Sequence, residues 1–189
     1  MADIVSRYDL PAFLAGIAAF FQGWTGWLRG ESEAGLAEMR RGIAIFRQQG
    51  MVYIVPSLEA AMAEAEAGAG EVTAALRRLD DALANLERTE QHWYEAEMHR
   101  IRARILLKRD PADTAAAEQS LQAAIAIAQP QKARSFELRA ALSLAKLYRA
   151  ANRDSDAHAL LAPAVEGFPP TRQFPEFAEA QALLSGLSL

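Results

Sequence analysis

The 189-residue chain contains no cysteine. That absence excludes a disulfide framework, a thiolate zinc site and a cysteine nucleophile, and it fits a reducing compartment. β-Branched residues are scarce: Val, Ile and Thr together number 19, which leaves little material for a sheet. There is no basic excess. The formal net charge is -4, the wrong sign for a general nucleic-acid binder. Long hydrophobic runs are missing too. The apolar stretch around Pro11 to Phe21 is about half of the ~20 residues that a membrane span requires. The N-terminus has no charged region followed by an apolar stretch, so it does not read as a secretory signal. The expected location is the cytoplasm, with no membrane and no nucleic-acid partner.

Alanine, by contrast, fills about a fifth of the chain. It has the best helix propensity of any residue, and the balance predicts an all-α protein. Prolines and glycines punctuate the sequence and delimit nine expected helices, at about 9–29, 31–49, 56–68, 71–88, 92–110, 113–128, 134–151, 154–167 and 175–187. Asp113, Ser135 and Asp154 are candidate N-caps, because their side-chain oxygens can accept from first-turn amides.

The helices pair, with short turns at Gly30, Gly70, Asp110 and Asn152. These turns are about 40 residues apart, and a fixed period of this size marks a helical solenoid. Seven residues before each turn stands a small residue: Gly23, Ala63, Ala103 or Ala145. After each turn comes a small, large, small series at spacings of four and three. The sets are Gly35, Met39, Gly42; Ala75, Leu79, Ala82; Ala117, Leu121, Ala124; and Ala157, Leu161, Ala164. Such spacings keep each set on one helical face. The third set fits only if the turn near Pro111 is two residues longer. The expected organisation is a single array over 1–189. It has hairpins at about 9–50, 54–89, 92–129 and 134–168 and a capping helix at about 175–187.

This pattern resembles the tetratricopeptide repeat (TPR). The fourth hairpin carries Leu144, Ala145, Tyr148, Asn152, Ala157, Leu161, Ala164 and Pro169 at signature positions. Elsewhere Gly26 and Glu66 stand where an aromatic is usual, Arg102 stands where a leucine is usual, and the period is nearer 40 than 34. The resemblance implies a right-handed helical solenoid of four hairpins plus a C-terminal capping helix. The stretches at 23–24, 93–100 (Trp-Tyr-Glu-Ala-Glu-Met-His-Arg) and 133–141 (Ala-Arg-Ser-Phe-Glu-Leu-Arg-Ala-Ala) are similar to a narrower bacterial group. These are the C-terminal TPR regions of multidomain regulators that join an ATPase module to a class III adenylate cyclase or a DNA-binding domain. The implied role is non-catalytic.

The residues themselves offer no catalytic constellation. Neither Gly-x-x-x-x-Gly-Lys-Ser/Thr nor Gly-x-Gly-x-x-Gly occurs, and Gly68-Ala69-Gly70 reads as a turn. His92 and His99 share a helical face with Glu95, but two turns of helix hold them about 10 Å apart, too far for one metal without other ligands. Ser120, Ser143 and Ser155 lie in or at the ends of helices, outside any nucleophile elbow. No cofactor, no metal and no enzymatic activity are expected.

Two surfaces stand out. Phe13, Phe20, Phe21, Trp24 and Trp27 crowd the first helix. They read as core, as a face once packed on a preceding repeat (1–10 resembles the tail of an earlier helix), or as an apolar contact surface at Phe20, Trp24 and Trp27. The middle option makes the chain a piece of a larger protein, with an end that self-associates into a homodimer. The second surface is the groove that the first helix of each hairpin lines in TPR arrays. By that resemblance Arg100, Arg104, Lys108, Arg139, Lys146 and Arg149 would form a basic groove for an acidic peptide or a C-terminal carboxylate. The alternative is a solvated face with internal salt bridges to Glu97 and Glu137. The chaperone-type carboxylate clamp is not matched, because Phe20 and Trp24 stand where it needs Lys and Asn. The expected function is a protein-interaction or scaffolding module of a bacterial signalling regulator. Its alternatives are an inducer-sensing domain with an apolar N-terminal pocket and a purely structural or oligomerisation element.

Overall fold

The computed structural model describes residues 10–166, 168 and 174–187. Residues 1–9, read above as the tail of an earlier helix, and Pro169 lie outside the described residues. Among the described residues there are nine α-helices and no strand: α1 (Leu10–Leu28), α2 (Ser32–Gln48), α3 (Val55–Gly68), α4 (Val72–Thr89), α5 (Glu95–Arg109), α6 (Thr114–Ala128), α7 (Arg134–Ala150), α8 (Asp154–Val165) and α9 (Pro175–Ser185). A short 3-10 turn, His92–Tyr94, precedes α5. The chain divides into two compact units, Met1–Tyr94 and Glu95–Leu189. In the first, α1 packs on α2, α2 on α3 and α3 on α4. In the second, α5 packs on α6 and α7, α6 on α7, α7 on α8, and α9 lies against α7 and α8.

One turn recurs and explains the periodicity. Gly30, Gly50, Gly70, Lys132 and Asn152 all have positive φ, and the amide after each reaches back five residues. Glu31 donates to the Gly26 carbonyl, Met51 to Phe46, Glu71 to Glu66, Ala133 to Ala128 and Arg153 to Tyr148. This is the Schellman closure, which satisfies helix-end carbonyls through one left-handed residue. Glycine bears that conformation without cost, and asparagine bears it better than most. Lys132 and Glu90 (φ 55) take it without such help.

The turn after α5 is different. Asp110 Oδ1 accepts from the Ala112 amide at 3.0 Å, so an Asx-type turn leads into Pro111. Counted from its small residue Ala103, α5 runs one residue further than its counterparts do from Gly23, Ala63 and Ala145, and the loop is one residue longer, which absorbs the two extra residues seen in the sequence. The expected N-caps are corrected. Asp113 stands at the cap of α6 but makes no side-chain cap bond. Ser135 and Asp154 fall inside α7 and α8, whose cap positions are Ala133 and Arg153.

The small–large–small sets are the contact stripes of the second helices. Ala75, Leu79, Ala117, Leu121, Ala124, Ala157 and Leu161 are all essentially inaccessible. Each buried Leu or Met at the centre of a set contributes roughly 1.5–3 kcal/mol. The first hairpin uses glycine where the others use alanine because its backbones nearly touch. A Cβ on Gly23 would lie 2.5 Å from the Gly35 carbonyl oxygen and 2.6 Å from the Met39 nitrogen, and one on Gly42 would lie 2.7 Å from the Phe20 nitrogen. The core of the first unit is Phe20, Leu36, Met39, Ile43, Phe46, Met51, Val55, Leu58 and Met62, with Phe13, Ile17, Trp24 and Trp27 packed against it.

Candidate functional site

Arg100, Arg104 and Lys108 follow one another at every fourth residue of α5, and so share a face. In the second unit the structure brings Arg100 and Arg104 together with Lys146 of α7. The three line a cleft of about 370 Å³ whose apolar surface includes Leu107, Leu121 and Leu147, and no carboxylate is among its lining residues. Lys146 also borders a second cleft, of about 510 Å³, with Arg149 on one side and Glu179 and Leu183 of α9 on the other. Lys108 is exposed and borders neither cleft. Arg139 is tied down instead of open.

A carboxylate ladder organises these cations. Glu97 is buried, 3% exposed, and accepts from Arg100 at Nε (3.0 Å) and Nη2 (2.8 Å). Arg139 Nη1 lies 3.5 Å from the same carboxylate, and its Nε donates to Glu176 of α9 at 2.9 Å. Glu179 pairs with Lys146 Nζ at 2.7 Å. Both ends of that last pair are about half exposed, so it is worth no more than about 1 kcal/mol. Arg104 is exposed as a residue, yet burial around it draws its pKa below the ordinary guanidinium value. It remains charged at neutral pH. Among the described residues Arg149 has no ion-pair partner. Of the two internal salt bridges weighed above, the one to Glu97 forms, and among the described residues Glu137 pairs with Arg134 and not with a groove cation. Glu137 accepts from Arg134 at 2.8 Å and from Gln129 at 3.2 Å.

α9 supplies two of the acids that hold these cations, Glu176 and Glu179. The sequence carries the signal for this: Phe177, Ala180 and Leu183 form the buried stripe, and Glu176 and Glu179 sit one position before two of them. A helix that docks by this stripe necessarily turns both acids to one side.

The aromatic cluster of α1 is mostly interior. Phe20 is 2% exposed and belongs to the core, which corrects its assignment to a contact surface. Trp24 and Trp27 lie with ring centroids 5.1 Å apart, half-buried against that core. The Trp27 ring covers Gly68, where a Cβ would come within 2.5 Å of Cζ2. Among the described residues of this helix, Leu14, Phe21 and Leu28 are the exposed large apolar side chains. No helix of the described residues is long and apolar enough to cross a membrane.

No family model matches the chain. An uncharacterized protein of Rhizobium meliloti (strain 1021) is 30% identical over 147 residues, which is 78% of this chain and 14% of that protein. The chain thus spans about one seventh of that relative's length. Two solved structures share the architecture, both of a Podosopora anserina kinesin light chain with nearly identical TPR-like repeats. One matches with a TM-score of 0.67 at 17% identity, covering 94% of this chain and 86% of that one. Its point variant matches with a TM-score of 0.66 at 16% identity, covering 89% and 82%. The fold is an all-α, TPR-like helical solenoid of four hairpins and a C-terminal helix.

Proposed function

We propose that the chain is a non-catalytic interaction module that binds an acidic peptide in the cleft between α5 and α7. The observation that carries this reading is the composition of that cleft. Arg100, Arg104 and Lys146 surround Leu107, Leu121 and Leu147 with no opposing carboxylate in the lining. Such a surface is complementary to a segment that alternates acidic and apolar side chains. The hairpins act as one array in this reading, and the array serves a cytoplasmic bacterial signalling regulator. That context is supported by the bacterial relative and by the resemblance of residues 93–100 and 133–141 to regulator TPR regions.

The test is fluorescence anisotropy with a labelled peptide of alternating Glu and Leu. Binding should weaken as salt is raised. Arg104→Glu should reduce affinity at least tenfold, the order expected for losing a charge-assisted contact and gaining a repulsion. A Gln-for-Glu peptide should not bind. Equal affinity in Arg104→Glu would remove the proposal.

A second reading has its own observation. Leu14, Phe21 and Leu28 are 55%, 55% and 63% exposed, recur every seven residues, and lie on a helix with no charged residue. A helix that is apolar all round is normally covered on all sides. We infer that two copies pair through α1. Solution mass across a concentration series should show a salt-resistant dimer that Phe21→Glu dissociates. A monomer at every concentration removes this reading.

A further inference from the structure

The geometry points to a separate binding site in the first unit, for a small organic dianion with an apolar body. It is independent of the peptide cleft. An open cleft of about 630 Å³ lies between the end of α2, the start of α3 and α4, a size suited to a small molecule. Four arginines line it, Arg47, Arg77, Arg78 and Arg88, against two carboxylates, Glu59 and Asp81.

The arginines divide into two roles. Arg78 is structural, since all three of its nitrogens are occupied. Nε and Nη2 donate to Glu66 at 2.8 and 2.7 Å, and Nη1 donates to Glu59 at 2.5 Å. Glu59 also holds Arg47 Nη2 at 2.6 Å, and Glu66 also meets Arg40 at 3.5 Å. The two buried carboxylates therefore face three guanidinium groups, of which Arg40 also approaches Glu71 at 4.0 Å, so the charges of this network cancel within it. Arg47 is anchored through one nitrogen, and its side chain is still 60% exposed.

Arg77 and Arg88 supply the open charge. Among the described residues Arg77 has no ion-pair partner. Among the described residues Arg88 donates only to the Asn85 amide oxygen, at 3.2 and 2.6 Å. That contact fixes the orientation of the fork without neutralising it. Guanidinium forks match the paired oxygens of a phosphate or carboxylate. Asp81 opposes them and would accept from a ligand hydroxyl. Val52 and Val55 add an apolar wall. Two open guanidinium forks can together hold the oxygens of a dianionic group, and the valines favour an organic body over inorganic phosphate.

The test is calorimetric titration of the full chain at about pH 8, where a phosphate monoester is doubly charged. Phenyl phosphate should bind saturably and at least tenfold more tightly than benzoate, which has the same ring and one charge. Arg77→Gln and Arg88→Gln should each weaken binding about tenfold with the helical circular dichroism signal unchanged. Arg104→Gln in the peptide cleft should have no effect. Equal binding of benzoate, undiminished binding in the Arg77→Gln Arg88→Gln double variant, or no saturable binding in the millimolar range would each overturn the assignment. A phosphotyrosine peptide binding more than tenfold tighter than phenyl phosphate would overturn the small-molecule class in favour of a protein partner.

Discussion

Glu66 and Arg78 meet within the second hairpin through two parallel hydrogen bonds, Nε to Oε2 at 2.8 Å and Nη2 to Oε1 at 2.7 Å. The carboxylate is 2% exposed, and the Arg78 pKa is raised above the ordinary guanidinium value, chiefly by the hydrogen bonds that Arg78 donates to Glu66. Removing one partner of such a pair strands the other charge inside the protein. Arg78→Met is therefore expected to cost about 3–5 kcal/mol in urea unfolding, since Glu59 and Glu66 would keep only the rim arginines. Glu66→Gln retains the shape and an acceptor, and should cost less. If Arg78→Met left the urea midpoint unchanged, the network would be ornamental to stability.

The approach of Gly23 to Gly35 gives a prediction of reversed sign. In a helix interior, Gly→Ala ordinarily stabilises by about 0.5–1 kcal/mol. Here the new Cβ would sit 2.5 Å from one backbone atom and 2.6 Å from another, and backbone cannot swing aside as a side-chain tip can. Gly23→Ala should instead destabilise by about 1–3 kcal/mol. Thermal unfolding decides between the two. A raised midpoint would show that α1 can slide along α2.

These two sites show what could be read from the chain and what could not. The small–large–small sets and the left-handed residues at Gly30, Gly70 and Asn152 were legible, because burial and positive φ restrict residue type strongly. Glu66 was visible only as a departure, standing at the position where Tyr148 stands in the fourth hairpin. Tyr148 completes its polar edge by donating to Glu118 at 2.9 Å, with Arg153 lying 3.9 Å from its ring centroid. Glu66 solves the same position with two arginines, and their convergence depends on the packing of α2, α3 and α4. Arg102, at a leucine position, likewise finds Ser120 Oγ at 3.2 Å. The basic residues of α5 and α7 were readable one helix at a time. Their division between a cleft and an ion-pair ladder was not, because two of the acids that divide them, Glu176 and Glu179, come from α9.

His99 supplies a pH dependence. Burial lowers its pKa, Glu95 opposes that shift, and Arg102 adds to it. The folded state therefore resists protonation that the unfolded chain accepts. The stabilising contribution is complete above the unfolded value near 6.5, and it is lost as pH falls from there toward the depressed folded value. Unfolding free energy measured between pH 8 and 5 should decline less steeply in His99→Gln than in the parent chain. Identical slopes would mean that another group governs this range.

The acids of α9 make the final test, because they compete with any acidic ligand of the second unit. Glu176 holds Arg139, and Glu179 holds Lys146. The helix itself is seated by Phe177, Ala180 and Leu183, so neutralising the acids should leave it docked. In Glu176→Gln Glu179→Gln, Lys146 becomes available, and Arg139 keeps only its contact with Glu97. Affinity for the Glu/Leu peptide should rise about two- to fivefold, in line with the modest worth of part-exposed pairs. Thermal stability should fall only slightly. Anisotropy and thermal unfolding on one preparation separate the outcomes. Unchanged affinity would mean that α9 braces α7 without competing for the cleft. A large loss of stability would mean that the two ion pairs, and not the apolar stripe, hold α9 in place.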